Sequence, residues 1–556
     1  MKKIFFITTI TLSVLFSSCK FEFEPQGVLT GATLTDDNLS QMTEALYAKV
    51  WFDFNDKFYF GLGDGMSYNL YAPYSDYVYP FSDLMASPAT GPLNNAWASL
   101  YVVAQQANKV MTGIKASSVA DDLKIQYIAE ARFMRGLAYW YLGSLWEDVV
   151  ISEDPQKLID NPLANTNPQK DVFEFALRDM EYAAKYLPET SAKTGHVNRY
   201  SAFGMLSRMY LHYAGFVGSN YGQNRNSGQR DAAYLDLAKK AAEKVISSGI
   251  FSLMPNYPDL FTIENNNNVE SMFAFQWTPG QNSTTGYGLI NTHQAYFALG
   301  SIITGDDAAW GGWTRCPYDM IQEYELNDTI RRKATWMGFG DYYPEINKEK
   351  GGLRIGNGDG EYNSGNNNQA LNVKKGVVGS AKDNPAVGRM NSALDNYMLR
   401  YAEVLFNYAD AVLGNNASTN DPTALGYFNA VRTRAGLNPK TSISYEDLRH
   451  ERRVEFCMEG RYWYDLLARS YYKQQEVIEY INNIQKRGEI PAFLFNAPNN
   501  LRLDSERNAG TRAVATATSE TFRLPYPESE SIQNPKLKEA PIPFEFTEDR
   551  ITDLFN

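Results

Sequence analysis

Residues 121–146 read DDLKIQYIAEARFMRGLAYWYLGSLW and set the pattern for much of the chain. Apolar side chains recur there at spacings of three to five residues, which places them on one face of an α-helix. These side chains are Ile125, Ile128, Phe133, Leu137, Tyr141 and Leu145. The spacing predicts a long amphipathic helix that buries one face.

Three further segments carry a comparable apolar stripe, at 171–187, 198–214 and 231–248, with Pro, Gly or Asn-rich connections between them. The first of the three matches the small-large-small-proline pattern of a tetratricopeptide second helix, in which small residues let helices approach closely. The matching residues are Ala176, Met180, Ala183 and Pro188. The pattern indicates an array of helical hairpins, with a plain helical core of accidental spacing as the alternative.

The first 19 residues have the layout of a bacterial lipoprotein signal. Lys2 and Lys3 supply the positive start, residues 4–15 form a short apolar run, and small residues lead to Cys19. Because crossing a bilayer takes about 20 apolar residues, the run predicts a cleaved segment followed by lipidation of Cys19. An ordinary secretory signal is the alternative. Residues 20–27 are charged and turn-prone, so we interpret them as a spacer between lipid and body.

The composition is that of a globular protein with a large core, with 44% hydrophobic and 21% charged residues in a chain of 556. The formal net charge is −12, and removing Lys2 and Lys3 with the signal lowers it by two to −14. Nucleic-acid binding needs clustered Lys and Arg, so this charge argues against it. Apart from Cys19, the cysteines are Cys316 and Cys457, interpreted as buried thiols or as one disulfide.

The stretch 251–391 has a different texture, because Gly, Asn and aromatic residues interrupt any helical stripe. Breaker runs such as 265–268 and 356–360 predict loops and short strands laid over the helical frame. Asp359 fits a solvated turn, with calcium binding as the alternative. Loops held by a rigid scaffold often carry binding residues, so we expect ligand contacts in this stretch.

Three blocks in the C-terminal third are the most specific part of the sequence. They are NYMLRYAEVLFNYADAVL at 396–413, NAVRTRAGL at 429–437 and ERRVEFCMEGRYWYDLLAR at 451–469. In order and spacing these blocks resemble the SusD/RagB family of nutrient-binding outer-membrane lipoproteins. We interpret the first block, with Arg400 and Glu403, as a helix, and the third as a helix on which Glu451, Glu455 and Glu459 share a face. The segments 129–139 and 525–537 extend the resemblance over nearly the whole chain.

Two positions depart from the family pattern. Asp410 replaces the usual Glu, and Tyr462 stands at a common Arg position, with Arg461 one residue earlier. The resemblance implies a mainly α fold, with a tetratricopeptide-like frame of helical hairpins and a large loop-rich irregular region. We therefore divide the chain into a signal at 1–18, a tether at 19–27, an N-terminal helical-repeat part at 28–250, a loop-rich ligand-facing part at 251–391 and a C-terminal helical part at 392–556.

The resemblance also implies a place and a role. The protein is expected at the cell outer membrane, lipid-anchored and facing outside. There it would capture an oligosaccharide and deliver it to a TonB-dependent, SusC-like transporter without breaking bonds. A peptide-binding member of the same family and a non-catalytic helical-repeat scaffold are the alternatives.

Patterns for catalysis are hard to find. No nucleophile elbow or phosphate-binding loop occurs in the sequence. The histidines form no zinc-binding pair on a helix turn: His196, His212, His293 and His450. Glu451, Glu455 and Glu459 stand at steps of four, and we interpret them as structural ion-pair partners rather than catalytic groups. A glycosidase carboxylate pair stays open, because its separation depends on the fold. We predict no enzyme activity, cofactor or metal.

The aromatic content is high, with 37 Tyr, 30 Phe and 9 Trp. Flat aromatic faces stack on sugar rings while polar side chains bond the hydroxyl groups, so we look for binding residues among the loop aromatics. The candidates are Trp277, Tyr287, Trp310 and Trp313 from the loop-rich part, with Tyr77 and Tyr79 from the run YAPYSDYVYPF. For each of them alone, packing inside the protein is the alternative.

Overall fold

The computed structural model of the chain shows a mainly helical protein. The structure describes residues 36–47, 49–160, 162–278, 288–298, 303, 314–356, 371–388, 391–484, 486–494 and 505–555. In chain order, the α-helices within these ranges are α1 (Asp36–Glu44), α2 (Tyr79–Ser82), α3 (Gly91–Ala116), α4 (Asp121–Leu145), α5 (Pro155–Asp160), α6 (Gln169–Tyr186), α7 (Arg199–Gly218), α8 (Ala232–Ser248), α9 (His293–Phe297), α10 (Tyr318–Glu323), α11 (Thr329–Thr335), α12 (Tyr401–Leu413), α13 (Pro422–Arg434), α14 (Tyr445–Glu455), α15 (Tyr462–Asn482) and α16 (Glu528–Gln533).

The frame of the molecule is a series of helices that each pack on the next. α3 packs on α4, α4 on α6, α6 on α7 and α7 on α8. Short connections make such neighbours antiparallel, as in stacked hairpins. The helices expected at 121–146, 171–187, 198–214 and 231–248 are confirmed as α4, α6, α7 and α8.

The close approach of α4 to α6 depends on a glycine. A Cβ atom on Gly136 would lie 2.9 Å from both the carbonyl oxygen of Ala176 and the Cβ of Asp179. No side chain larger than hydrogen fits that contact without a shift of one helix. Small residues at this crossing are what the tetratricopeptide pattern requires.

Local side chains define where these helices begin and end. Asn198 accepts hydrogen bonds from the backbone N–H groups of Tyr200 and Ser201, which caps α7. Asp231 caps α8 in the same way, and Gly249 follows that helix in the left-handed conformation, with φ of 66°. The helix ends are therefore encoded within a few residues of each helix.

Short strands that pair in twos lie in the loop-rich part and in the C-terminal part. The strands are β1 (Ser271–Phe275), β2 (Trp336–Met337), β3 (Tyr342–Tyr343), β4 (Leu353–Arg354), β5 (Asn372–Val373), β6 (Val387–Gly388), β7 (Asn391–Ser392), β8 (Asn396–Arg400), β9 (Ser418–Thr419), β10 (Ile443–Ser444), β11 (Glu489–Leu494) and β12 (Ser505–Thr511). The antiparallel pairs are β1 with β8, β2 with β5, β3 with β4, β6 with β7, β9 with β10 and β11 with β12.

Two details of the sequence-based prediction are wrong. Residues 396–400 do not begin a helix; they form β8, which pairs with β1 so that Arg400 lies opposite Ser271. The helix α12 starts only at Tyr401. Glu459 does not share a helical face with Glu451 and Glu455, because α14 ends at Glu455 and a turn follows.

Buried apolar side chains form one large cluster in the helical frame and a second in the loop-rich part. Cys316 and Cys457 lie in the second cluster as buried free thiols, which agrees with the thiol interpretation. Burial raises the pKa of the Cys316 thiol well above its ordinary value. Among the described residues, every helix is too short or too polar to cross a membrane.

Candidate functional site

Two π-helical segments, Phe54–Phe58 and Gly61–Met66, lie between α1 and α2. Turns of this kind are rare in proteins and are frequent at functional sites. The first segment carries the buried polar side chains Asn55 and Asp56. Asn55 bonds His293, and Asp56 bonds Thr292 and Tyr296, all in the loop-rich part. These bonds hold the segment in place against that part.

Asn396 is the hub of a buried hydrogen-bond network around Trp277. Its Oδ1 accepts from the indole Nε1–H of Trp277 at 2.9 Å and from Nδ2 of Asn55 at 3.0 Å. Its Nδ2 lies 3.2 Å from Nδ1 of His293, whose Nε2 lies 2.8 Å from the backbone oxygen of Asn55. Burial lowers the pKa of His293 to about 4, so the ring is neutral at pH 7 and donates through one nitrogen only.

This network holds Trp277 inside the protein. The indole is 6% exposed and meets the ring of Phe52 edge to face at 6.2 Å. Trp277 therefore supports the floor of the surface more than it offers a flat face to a ligand.

Tyr77 lies on the outer side of the same network. Its ring is half-buried, 4.9 Å from the ring of Tyr296, and Nζ of Lys57 lies 5.8 Å from both ring centroids. The hydroxyl of Tyr296 donates to Oδ1 of Asp56 at 3.1 Å, and the hydroxyl of Thr292 donates to the same oxygen. Burial raises the pKa of Asp56 above its ordinary value, and these hydrogen bonds lower it in part.

Tyr79 points to a neighbouring part of the surface. The guanidinium of Arg512 lies 4.0 Å above its ring, and Nε of Arg512 donates to Oδ2 of Asp83 at 2.8 Å. The structure thus connects Tyr77 with Trp277 through Phe60, His293 and Asn396, but it places Tyr79 beside the C-terminal segment.

The most exposed tyrosine of this run is Tyr74, at 66%, and it was not among the candidates. Ser75 N–H donates to the carbonyl oxygen of Ala72 at 3.2 Å, so residues 72–75 form a turn with Pro73 in its second position. Proline favours that position, which puts Tyr74 at the tip. The Ala-Pro-Tyr-Ser sequence was the signal that marks this tyrosine as exposed.

Four predicted residues lie outside the described ranges, namely Cys19, Tyr287, Trp310 and Trp313. Asp359 lies outside them too. Their roles stay predictions.

The carboxylates of the ERRVEFCMEGRYWYDLLAR block are buried ion-pair partners, as predicted. Arg331 lies 2.9 Å from Glu451 and 3.5 Å from Glu455, while Arg400 lies 3.2 Å from Glu455 and 2.7 Å from Glu459. Burial alone would raise the pKa of Glu455, but the surrounding guanidinium groups outweigh it and hold the pKa at about 2. These charges join α11, α14 and β8, which is a structural role.

One cluster in the described part of the chain has the ligand types of a metal site: Glu325, His450 and Glu451. Arg432 Nη1 already bonds both carboxylates, at 2.8 Å from Glu325 and in a short contact with Glu451. A cation between these oxygens would have to displace a guanidinium that neutralises them. We therefore count the cluster among the ion pairs.

A family model described as the SusD family matches residues 220–542, and one described as starch-binding associating with outer membrane matches residues 65–211. A SusD-like protein from Bacteroides ovatus is 35% identical over 562 residues, covering 97% of this chain and 98% of that protein. The chain belongs to the SusD/RagB family, and the predicted resemblance is confirmed.

Solved structures agree with this assignment. One crystal structure, with a TM-score of 0.83, is 36% identical and covers 92% of this chain and 99% of that chain. Another, described as solved with a xylogluco-oligosaccharide, has a TM-score of 0.81 and 35% identity, and covers 92% of this chain and 100% of that chain. The predicted fold class, a mainly α tetratricopeptide-like frame with a loop-rich region, is confirmed.

Proposed function

We propose that this protein is a cell-surface lipoprotein that binds an oligosaccharide and hands it to a TonB-dependent, SusC-like outer-membrane transporter. The observation that carries the proposal is the exposed surface at Tyr74, Tyr77 and Lys57. This surface belongs to a protein that is 35% identical to one whose crystal structure is described as containing a xylogluco-oligosaccharide. We choose xylogluco-oligosaccharide as the first ligand to test.

The chemistry of the surface suits a sugar. Tyr74 is 66% exposed and Tyr77 is half-buried, so we propose that their rings stack on the apolar faces of pyranose units. The ammonium group of Lys57 and the rim of backbone groups supply hydrogen bonds to hydroxyls. We propose that Trp310, Trp313 and Tyr287 complete this surface, with Trp277 as its support.

We propose that the protein binds without cleaving. A glycosidase needs one carboxyl group positioned as acid and a second one as base or nucleophile, roughly 5–9.5 Å apart across the bond. The carboxylates of Glu451, Glu455, Glu459 and Asp465 are instead each engaged by Arg or Lys, as with Glu459 and Lys375 at 2.9 Å. Release of reducing ends from xyloglucan in the presence of the protein would contradict this part of the proposal.

We propose the lipid anchor from the N-terminal sequence and the delivery step from the family to which the chain belongs. A lipid on Cys19 would hold the body at the outer membrane, and the spacer at 20–27 would leave its binding surface free to approach a transporter. The family model described as associating with the outer membrane supports this placement.

Isothermal titration with xylogluco-oligosaccharide, beside a glycan array and a peptide library, tests the proposal. We expect binding to the glycan and not to peptides. Tyr74→Ala and the double variant Trp310→Ala/Trp313→Ala should each lower the affinity at least about tenfold, which is about 1.4 kcal/mol. Tyr186→Ala, an exposed tyrosine on α6, is the matched control and should leave the affinity unchanged. Binding of peptides alone, or of neither class, would overturn the proposal.

A further inference from the structure

An open groove of about 580 Å³ lies between the turn that follows α2 and the C-terminal segment that contains Thr516 and Tyr526. Its size falls within the roughly 300–1,000 Å³ of small-molecule sites. Leu84 and Leu524 contribute an apolar base, and Ser87 and Thr516 contribute exposed hydroxyl groups. The predicted binding residues that the structure describes, Tyr77, Tyr79 and Trp277, do not line this groove.

The lining of the groove has the chemistry of a carbohydrate site. Tyr526 offers a half-exposed ring, and its orientation is fixed because its hydroxyl donates to the backbone oxygen of Asp148 at 2.6 Å. The exposed carboxylate of Glu520 and the hydroxyls around it are acceptors and donors for sugar hydroxyls. A fixed ring with mobile polar groups at its edge is the combination that recognises pyranoses.

A second opening of about 400 Å³ lies on the far side of the ring contact between Trp97 and Tyr526. Asn534 lines it, and its Oδ1 atom is buried without a hydrogen-bond partner among the described residues. A buried acceptor of this kind is commonly satisfied by an ordered water molecule. The two openings follow one another along the same C-terminal segment.

The groove is also linked to the tyrosine surface. Arg512 donates from Nη1 to the carbonyl oxygen of Pro73, next to Tyr74, at 3.1 Å, and it covers the ring of Tyr79. Its Nε bonds Asp83, whose own carbonyl oxygen accepts from Ala515 N–H at 2.9 Å. Tyr79 and Arg512 therefore bridge the stretch from Tyr74 to the edge of the groove.

We propose that this groove is a second glycan subsite. A single glycan molecule would bind the Tyr74 and Tyr77 surface with one stretch of its sugars and this groove with a neighbouring stretch. The inference rests on the proposed function and deepens it, because it makes the ligand a long oligosaccharide or a polysaccharide. Two subsites on one protein raise its overall affinity for a long glycan, since binding at the first subsite makes binding at the second intramolecular. A short oligosaccharide reaches only one of them.

The test compares a short xylogluco-oligosaccharide with polymeric xyloglucan on the full-length mature protein. Ser87→Trp and Thr516→Trp fill the groove from two exposed positions, and Glu520→Ala removes its carboxylate. We expect each variant to lower the affinity for the polymer about tenfold while binding the short oligosaccharide as the wild type does. Glu528→Ala, an exposed glutamate of α16 outside the groove lining, is the control for lost charge.

The outcomes separate the two proposals. Polymer binding that is unchanged in all three groove variants, together with loss of both ligands in Tyr74→Ala, overturns the second subsite and supports the proposed function. Groove variants that lose the same affinity for the short oligosaccharide as for the polymer also overturn the second subsite. In that case the substitutions would be disturbing the Tyr74 and Tyr77 surface. A wild-type protein that binds neither ligand contradicts both proposals.

Discussion

Asp395 is a buried carboxyl group beside the hub residue Asn396. It is 6% exposed, and its Oδ2 atom has no hydrogen-bond partner among the described residues. Burial raises the pKa of Asp395 to about 7, and the N–H of Asn267 lowers it only in part. In the unfolded chain the pKa is about 3.9. Between these values the native state keeps a proton that the unfolded chain has lost, so stability falls as pH rises from about 4 to about 7.

Asp395→Asn tests this sign, because an amide resembles the protonated acid at every pH. We expect the variant to raise the free energy of unfolding at pH 7.5 by roughly 2–4 kcal/mol, since each pKa unit corresponds to about 1.4 kcal/mol. At pH 4 the effect should be small. Urea unfolding at both pH values measures it, with Asp236→Asn on the exposed face of α8 as control. A gain of equal size at pH 4 would contradict the assignment.

Only some residues of the candidate site could be predicted from the sequence. The tyrosine run was found because aromatic residues are dense there, and Tyr77 does lie on the exposed surface. Tyr74 was missed because exposure follows from the turn at Pro73, not from aromatic density. Trp277 bonds Asn396, which in turn bonds Asn55 and His293, and nothing in the local sequence joins residues so far apart.

At the scale of elements, glycine positions give a test of the α4 and α6 contact. Gly136→Ala places a Cβ 2.9 Å from backbone and side-chain atoms of α6, and overpacking of this kind costs about 1–3 kcal/mol. Alanine also favours a helix by about 1 kcal/mol, so the net change should still be a loss. Gly426→Ala in α13 has nothing within 4 Å of the new Cβ and should gain up to about 1 kcal/mol.

Thermal and urea unfolding of the two variants give opposite signs if α4 and α6 pack as described. A Gly136→Ala protein as stable as Gly426→Ala would show that the two helices have room between them. Because both changes are Gly to Ala inside a helix, their unfolded states are matched, and the difference reports packing alone.

Helices were predictable from the sequence because their apolar stripes and caps are local. The strand β8 was not, because its partner β1 lies more than a hundred residues earlier and the apolar run NYMLRY continues into α12. Side-chain patterning alone does not separate a short buried strand from a first helical turn. The same holds for Glu459, which reaches Arg400 from a turn rather than from the helix expected there.

At the scale of the whole molecule, the two largest apolar clusters stabilise different parts of the protein. The larger cluster makes the helical frame rigid, and the smaller one anchors the loop-rich part through residues such as Trp336 and Tyr343. Buried ion pairs of Arg331 and Arg400 cross between them. Breaking such a pair leaves a buried charge, so the relative placement of the two parts is well defined. We therefore expect the binding surface proposed at Tyr74, Tyr77 and Lys57 to be preformed rather than ordered by the ligand.

The lipid proposed on Cys19 would hold the proposed binding surface at the outer membrane, and Cys19→Ala tests this placement in cells. One acyl chain binds a membrane only marginally and two or more bind stably, so loss of the lipidated cysteine should release the protein from the membrane fraction. The strongly acidic mature chain has little attraction to anionic lipids that could replace the anchor. We expect release from the membrane to slow growth on xyloglucan, because delivery needs the protein beside its transporter.

Fractionation and labelling with a fatty-acid analogue measure the anchor, and growth on xyloglucan against glucose measures its consequence. Cys316→Ala is the matched control: it removes a buried thiol and should leave labelling and membrane association unchanged. A Cys19→Ala protein that stays on the membrane would show that a different segment holds it there. A released protein in cells that still grow normally on xyloglucan would show instead that delivery does not require the anchor, and the role proposed for Cys19 would then fail.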